Sequence, residues 1–305
     1  MVIKSHLSKR KLTWNQKKHL TGLLFLLPQS AFLAVFIVYP LASVIFYSLF
    51  DWNGMSQMKF VGADNYKLLP GTEGFWDMAK ATVIYAAGVT GLVVLCGFLV
   101  ALALDKRGKW RLNRTAMGFF WFFPCLLSGA IVGIIWRIMF NYNGGLVNFL
   151  LNRMGIKSVN WLETYGVTMA AVIIASVWSQ IGMCAIIFLA GLQNIPTDML
   201  EAADLDGASD IQKKAMIVIP LMAPSITINV ITTSIAAFKA YELPYTVSKG
   251  LPGYSTRILT QRIYFYSFNT NKYGIASAMS ILLVIVITLI SLLQLFVLKK
   301  REDIY

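Results

Sequence analysis

Six long apolar blocks constrain the fold of this chain more than any other feature. Each is long enough for the roughly 20 residues that a helix needs to cross a bilayer. Their apolar residues lie in blocks and do not alternate with polar ones, as they would in a half-buried strand. The predicted spans are Thr21–Phe50, Ala81–Leu104, Thr115–Phe140, Tyr165–Leu192, Ala215–Phe238 and Gly274–Leu298. We therefore expect an all-α integral membrane protein with six transmembrane helices.

Composition supports this class and argues against a nucleic-acid-binding protein. The 305 residues are 57% hydrophobic and 13% charged, whereas soluble domains carry about 25% charged residues. The net charge of +13 could suggest a nucleic acid partner. The basic residues, however, flank the apolar blocks and do not form one patch. That distribution is the one that membrane orientation requires.

The basic residues predict the orientation of the chain. Three clusters fall on the same side if there are six spans, and Lys and Arg favour the cytoplasmic side. The clusters are Lys4, Lys9, Arg10, Lys11, Lys17 and Lys18; Lys106, Arg107, Lys109, Arg111 and Arg114; and Lys299, Lys300 and Arg301. We expect residues 1–20 and 299–305 to be cytoplasmic tails that flank a membrane domain at 21–298. The loop between spans five and six opposes the rule, because it would place five basic residues outside.

The sequence offers little material for a metal centre or for catalysis. Its three cysteines, Cys96, Cys125 and Cys184, all lie inside apolar blocks without metal-ligand spacing. Both histidines, His6 and His19, lie in the basic N-terminal region. We therefore expect no catalytic residue and no metal site in this chain, which disfavours an integral membrane enzyme.

A polar, acidic segment between the fourth and fifth spans stands out from the rest. It reads Glu201-Ala202-Ala203-Asp204-Leu205-Asp206-Gly207-Ala208 and is followed by Ile219-Pro220. Thr197 or Asp198 can cap a short helix there, and Gly207 can end it because glycine adopts backbone angles that other residues avoid. A second helix is expected to start near Ser209. Physically, the segment is either a surface helix for a partner's groove or a solvated helix–turn–helix.

This segment resembles the EAA loop of ATP-binding-cassette importer permeases, whose pattern is EAA, two residues, DGA, and a Leu-Pro or Ile-Pro downstream. The resemblance implies the type I ABC importer permease fold, with a cytoplasmic coupling helix in a loop at residues 194–220. The residues that it implies for coupling to the ATPase are Glu201, Ala202, Ala203, Asp206, Gly207 and Ala208. Lys214 is a departure, since family members often carry Phe near that position.

Other segments resemble the carbohydrate importers of the same family. Phe60–Tyr66 is similar to their F-x-G-x-x-N-Y element, and Trp178–Pro196 to their fourth span with its AGLQ-x-IP ending. Phe238–Pro252 is similar to F-x-x-x-Y-x-L-T-x-GGP, and Tyr273–Ala278 to GYASA. The likeness implies a sugar or oligosaccharide importer in a prokaryotic plasma membrane that works by alternating access.

The same resemblance implies a solute path through the membrane. The residues that we assign to it are Gln180, Met183, Phe238, Lys239, Tyr241 and Glu242. If their segment is helical, Lys239 and Glu242 are spaced to pair, and charges within a membrane by default mark function. The alternative places this cluster at the outer interface, where the Lys239 side chain extends toward water.

The chain lacks G-x-x-x-x-G-K-[ST], so we expect ATP and Mg²⁺ to bind to a separate ATPase and not to this chain. The resemblance implies two copies of that ATPase, an extracytoplasmic sugar-binding protein and a second permease subunit that is a paralogue. Membrane lipid is the remaining partner. An ABC importer for another solute and an ion-coupled secondary transporter stay as alternatives. The second would require carboxylates inside the spans, where we find only Glu242 near a span end.

Overall fold

The computed structural model describes residues 14–105 and 114–302, and most of these residues are helical. The basic cluster from Lys4 to Lys11 and most of the cluster at 106–114 lie outside the described residues. Two short strands, Phe50–Asp51 and Lys59–Phe60, pair antiparallel with Phe50 opposite Phe60. The fifteen helices of the described chain are α1 Trp14–Leu33, α2 Tyr39–Tyr47, α3 Asp64–Leu68, α4 Phe75–Leu104, α5 Arg114–Phe122, α6 Gly129–Met139, α7 Leu146–Arg153, α8 Val167–Gln193, α9 Thr197–Leu205, α10 Asp210–Lys213, α11 Ile219–Leu221, α12 Ala223–Phe238, α13 Glu242–Ser248, α14 Leu259–Tyr264 and α15 Tyr273–Glu302.

Short π-helical or 3₁₀ turns join several of these helices. One π-helical turn continues α1 into α2, another joins α10 to α11, and a third follows α14. A 3₁₀ turn, Phe123–Leu126, follows α5, and a second one, Leu69–Gly71, follows α3. Because these turns keep the backbone hydrogen-bonded locally, the chain can change direction at them without leaving the helical pattern.

Four helical segments of the described chain are long and apolar enough to cross a bilayer. Two more segments meet the same criterion as pairs of helices with a bend between them. The single ones are Thr21–Tyr47, Phe75–Leu104, Val167–Gln193 and Tyr273–Lys300. The pairs are Gly118–Leu126 with Gly129–Met139, bent by 113°, and Asp210–Leu221 with Ala223–Phe238, bent by 63°. If each pair counts as one span, the described chain has the six predicted spans, at different boundaries.

The third predicted span, Thr115–Phe140, is not one continuous helix. Pro124 lies in the 3₁₀ turn where the chain leaves α5, and proline cannot donate a backbone hydrogen bond. Ser128 then caps α6, since its Oγ accepts a hydrogen bond from the backbone N–H of Ile131 at 3.4 Å. A prediction from the length of the apolar block takes neither signal into account. One helix was therefore expected where the chain forms two.

The fifth predicted span, Ala215–Phe238, also begins and bends differently. Its helical segment starts at Asp210, and the bend lies at Met222 between Pro220 and Pro224. Each proline removes one backbone donor, which favours a bend at this point. By contrast, Pro28 lies inside α1 without ending it.

Helices α4, α8 and α12 form the centre of the bundle. α4 packs most extensively against α8, and α12 packs against both. Val89, Val93 and Phe188 are completely buried there. Hydrogen bonds between side chains also join the helices: the Tyr85 and Ser176 hydroxyls lie 2.9 Å apart, between α4 and α8. Such interhelical bonds stabilise helix pairs in an apolar surrounding, where no water competes for the same groups.

Glycines allow the bent third span to approach its neighbours closely. A Cβ on Gly133 of α6 would lie 2.6 Å from Thr246 of α13, and one on Gly182 of α8 would lie 2.4 Å from the carbonyl oxygen of Trp121. Small residues at helix interfaces are the usual means of close packing in membrane proteins. The packing of α6 against α13 therefore depends on Gly133, and the packing of α5 against α8 depends on Gly182.

The bundle has two ends, which we name the α9 end and the far end. The α9 end contains α9 together with the last turns of α4 and α8, which line one cavity with it. At the far end, the Tyr273 N–H donates to the Trp52 carbonyl at 3.0 Å. Asn65 is buried there and its side chain donates to the carbonyls of Ser48 and Phe50, both at 2.9 Å. This contact gives the Phe60–Tyr66 element a structural role, since its Asn ties the far-end loop to the first span.

Substituting alanine for Gly182 tests the close approach of α5 and α8. The new methyl group would meet a backbone oxygen, which cannot rotate away, so we expect a loss of about 1–3 kcal/mol in stability from overpacking. Gly91 of α4 is the matched control, because nothing lies within 4 Å of its Cβ position. Thermal unfolding in detergent should show a lower Tm for Gly182→Ala and an unchanged or higher Tm for Gly91→Ala. Equal values for both variants would contradict the packing described here.

Candidate coupling helix and solute path

The acidic segment forms the helix that the sequence predicts. α9 spans Thr197–Leu205 and starts directly after Pro196, which is extended at φ −59° and ψ 131°. Thr197 or Asp198 was expected as the cap, but Pro196 occupies the capping position and no side chain caps the helix. Asp198 lies in the first turn, where a carboxylate is favourable next to the helix N-terminus.

The DGA part of the motif is the C-terminal cap of α9. The Gly207 N–H donates to the Asp204 carbonyl at 3.1 Å, and the Ala208 N–H donates to the Ala203 carbonyl at 2.9 Å. These two bonds define a Schellman motif, which requires a left-handed residue after the cap. Gly207 supplies it with φ +76°. The order Asp-Gly-Ala therefore stops the helix at a fixed position and turns the chain toward α10.

A second cap starts the next helix two residues later. The Ser209 Oγ accepts a hydrogen bond from the Gln212 N–H at 3.3 Å, while the Ser209 N–H donates to the Gln212 side chain at 2.8 Å. This reciprocal pair is a capping box. It confirms the predicted second helix near Ser209, and α10 then leads through α11 and α12 into the bundle.

α9 is exposed to solvent along most of its length. None of its residues is buried, and Leu205 is 90% exposed. Ile211 and Met216, just beyond the turn, are 79% and 74% exposed. Because exposed apolar side chains clustered with acidic ones mark protein–protein contact surfaces, this face has the composition of a docking surface for another protein.

The predicted coupling residues lie around the same turn but differ in exposure. Glu201, Ala202, Asp206 and Gly207 are exposed, whereas Ala203 and Ala208 are half-buried. The two half-buried alanines are the residues joined by the shorter of the two capping bonds, at 2.9 Å. Glu201 also lines a cavity of about 650 Å³ at the α9 end. The exposed members can contact a partner, and the alanines fit the turn against the bundle.

Three charged side chains that the sequence analysis did not single out connect α9 to α10. The Lys213 ammonium lies 2.5 Å from an Asp204 oxygen and 3.2 Å from an Asp210 oxygen. All three residues line the cavity next to Glu201. The nine-residue separation of Lys213 and Asp204 crosses a turn, so no helical spacing rule could have revealed this pair.

The predicted solute-path residues fall into two groups. Gln180 and Met183 lie on α8, near its middle, with Met183 57% exposed and the Gln180 amide donating to the Ser176 carbonyl at 3.3 Å. Phe238 ends α12 and is buried in the main core. No hydrogen bond or ion pair of the described chain joins the two groups. The described cavities, of about 350 and 650 Å³, are not lined by these residues.

Lys239 and Glu242 do not share a helix, so the predicted helical pairing is wrong. α12 ends at Phe238 and α13 begins at Glu242, and no ion pair joins the two side chains. Both are exposed. The Glu242 carboxylate instead lies at the start of α6, where a Cβ on Gly129 would be 3.5 Å from Oε2. A carboxylate there is favoured by the positive end of the helix dipole.

A row of aromatic rings lies beside these charges. Tyr241 is the only member of this row that the sequence analysis assigned to the solute path. The Tyr241 ring stacks on Tyr245 at 5.6 Å and on Tyr264 at 4.8 Å, and Tyr264 contacts Phe268 at 4.8 Å. The last three are 43–67% exposed. The spacing of Tyr241 and Tyr245 was a possible signal, but the contact with Tyr264 depends on how the loop folds back.

Substitution at Gly207 tests the cap of α9. Alanine there has open space around its methyl group but must adopt a left-handed conformation, which costs about 1–2 kcal/mol. We expect faster hydrogen exchange at the amides of residues 207 and 208 in Gly207→Ala. Gly207→Asn is the control, since asparagine tolerates this conformation better. Exchange that is unchanged in Gly207→Ala would show that the turn does not depend on glycine.

Comparison with known proteins agrees with this geometry. Residues 93–303 match the family described as binding-protein-dependent transport system inner membrane component. The chain is 32% identical to the trehalose/maltose transport system permease protein MalF of Thermococcus litoralis, over 96% of this chain and 98% of the relative. It is 33% identical to the multiple sugar-binding transport system permease protein MsmF of Streptococcus mutans, over 92% and 96%.

A solved structure confirms the type I ABC importer permease fold. A chain of the bacterial alginate ABC transporter, solved with an alginate pentasaccharide-bound periplasmic protein, superposes with a TM-score of 0.81 at 21% identity. The match covers 94% of this chain and 97% of that one. The apolar helices and the family description together make this a multi-pass plasma membrane protein. The chain belongs to the family of inner membrane components of binding-protein-dependent transport systems.

Proposed function

We propose that this chain is one permease subunit of an ATP-driven importer for a sugar or oligosaccharide. An extracytoplasmic solute-binding protein delivers the solute, and the subunit carries it into the cytoplasm by alternating access. The chain itself does not hydrolyse ATP; a separate ATPase binds ATP and Mg²⁺ and performs that reaction.

One observation carries this proposal: an exposed helix with the EAA-x-x-DGA order and a Schellman cap at its C-terminus lies at the end of a membrane bundle. An exposed helix whose C-terminal turn is held by backbone hydrogen bonds can transmit a partner's motion to the helix that follows it. The sugar assignment is supported by the relatives, since MalF of Thermococcus litoralis and MsmF of Streptococcus mutans are named as permeases of sugar transport systems.

The proposed orientation places the α9 end in the cytoplasm. Lys299 and Lys300 are in the last turns of α15. In the sequence, the basic cluster of residues 1–20 precedes the first span and the cluster of residues 106–114 follows α4, and we assign all three clusters to this side. This distribution follows the positive-inside rule. Both chain termini are then cytoplasmic, the membrane domain extends over 21–298, and α9 faces the ATPase.

The proposed partners follow from surfaces that the chain leaves uncovered. None of the most apolar stretch of the first span, Thr21–Tyr47, is buried, and the last span is scarcely more covered. A second permease subunit, which we propose to be a paralogue, together with lipid would cover them. Two ATPases complete the assembly, one on the α9 helix of each permease.

The proposed solute path uses the charged and aromatic residues at the break between α12 and α13. Lys239 and Glu242 are exposed and unpaired with each other, and the stacked rings of Tyr241, Tyr245 and Tyr264 lie alongside. Aromatic faces and hydrogen-bonding groups are what a polar, ring-shaped solute requires. We also assign Gln180 and Met183 of α8 to the proposed path.

Purification from native membranes in a mild detergent tests the assembly. We expect an ATPase and a second multispan subunit to accompany the chain, and we expect Glu201→Lys to lose the ATPase because a charge is reversed in the docking surface. Glu163→Lys is the control, since Glu163 is exposed at the far end. Recovery of the chain alone, or loss of the ATPase from both variants, would contradict the proposed role of α9.

Uptake of labelled sugar by reconstituted transporter tests the solute path. Hydrogen bonds to charged groups are worth about 1.5–3 kcal/mol, so Lys239→Ala and Glu242→Ala should each reduce uptake by about tenfold or more. Lys272→Ala is the control, because Lys272 is an exposed lysine at the same end. Unchanged uptake in both path variants would remove these residues from the proposed path while leaving the assembly proposal intact.

A further inference from the structure

The turn between α9 and α10 is held by more than its backbone. Lys213 of α10 reaches back over the turn and contacts two carboxylates, Asp204 on α9 at 2.5 Å and Asp210 on α10 at 3.2 Å. Its side chain is only 17% exposed, although both carboxylates are more than half exposed. The side chain is therefore largely covered, and its ammonium group contacts one carboxylate from each helix.

This contact lies at the only connection between α9 and α10, where it can affect how motion of α9 reaches α10. Only the residues from Asp206 to Ser209 connect α9 to α10, and Gly207 among them has no neighbour within 4 Å of its Cβ position. A glycine in open space is the point at which a chain bends most readily. Without a cross-link, a push on α9 could be taken up by rotation at Gly207 and would not reach the helices that follow.

We propose that Lys213 is a positioning residue that fixes the angle between α9 and α10, so that motion of α9 is passed on to the fifth span. The Lys213 side chain closes a ring with Asp204 that includes the Gly207 turn, and the bond to Asp210 keeps the ammonium group in place. This inference rests on the proposed function of α9 as a coupling helix. It adds residues that lie outside the matched EAA and DGA positions.

The neighbouring lysine shows that charge alone does not explain the contact. Lys214 lines the same cavity and is exposed, yet no ion pair of the described chain involves it. Lys213 is the less exposed of the two and is the one directed to the carboxylates. Glu201 and Asp105 also line this cavity. Lys213 thus acts within the chain, whereas the exposed Glu201 is available to a partner.

The contact is too weak to contribute much to folding, so we assign it a role in holding α9 and α10 at a fixed angle. Ion pairs with exposed partners contribute little to stability and weaken as salt screens them. Removing Lys213 should therefore leave the chain folded and inserted, with the turn loosened. This separation makes the proposal testable in an intact transporter.

Hydrogen exchange of the assembled transporter provides the structural test. In Lys213→Met we expect faster exchange over residues 203–210 and unchanged exchange elsewhere, while Lys213→Arg, which keeps the charge, should behave as the unaltered chain. Lys67→Met is the matched control, because Lys67 forms a similar pair with Asp64 at 2.8 Å in the far-end loop. If Lys213→Met leaves exchange over 203–210 unchanged, the contact does not hold the turn.

The ratio of ATP hydrolysed to solute transported provides the functional test, in proteoliposomes with the binding protein present. We expect Lys213→Met to raise this ratio several-fold with the ATPase still bound, Lys213→Arg to leave it unaltered, and the double variant Asp204→Lys with Lys213→Asp to restore it in part. Equal losses of hydrolysis and transport in Lys213→Met would overturn the proposal. Absence of sugar uptake by the unaltered assembly would instead contradict the proposed function.

Discussion

Hydrogen bonding of the backbone in a medium without water governs this structure. Within a bilayer each peptide group needs a partner from the chain itself, so a spanning segment must be helical or be broken where other groups substitute. The two bent spans follow this requirement. Proline removes donors at both bends, and in the third span the Ser128 hydroxyl accepts from a backbone donor that the break leaves open.

The break in the third span in turn sets the geometry of the far half of the bundle. Because α6 begins as a new helix at Gly129, its N-terminus lies next to the Glu242 carboxylate, and its glycines allow α13 to pack closely against it. α13 carries Tyr245, and the aromatic row continues from there to Tyr264 and Phe268. One proline and one serine therefore influence where the proposed solute path can lie.

The sequence predicted features that depend on local physics and missed those that depend on packing. Span number, the α9 helix, the stop at Gly207 and the start at Ser209 all follow from apolar length and capping, which involve neighbours within a few residues. The two prolines that flank the bend at Met222 are visible in the sequence, but the angle of the bend depends on packing and follows only from the structure. The pairing of Lys239 with Glu242 required one continuous helix, and the chain instead breaks between α12 and α13. The contact of Lys213 with Asp204 could not be predicted, since it depends on the angle at which two helices meet across a turn.

The cap of α9 also bears on how such a subunit can change its partners. The turn after α9 is fixed by hydrogen bonds between backbone atoms, from the N–H groups of Gly207 and Ala208 to carbonyls of the preceding turn. The exposed side chains of the helix take no part in those bonds. Apart from Asp204, which pairs with Lys213, the outward-facing residues can therefore change while the shape of the connector persists. The backbone bonds that shape the turn are thus separate from most of the side chains that would contact a partner. A permease of this kind can therefore keep the same turn while its contact surface adapts to different ATPases.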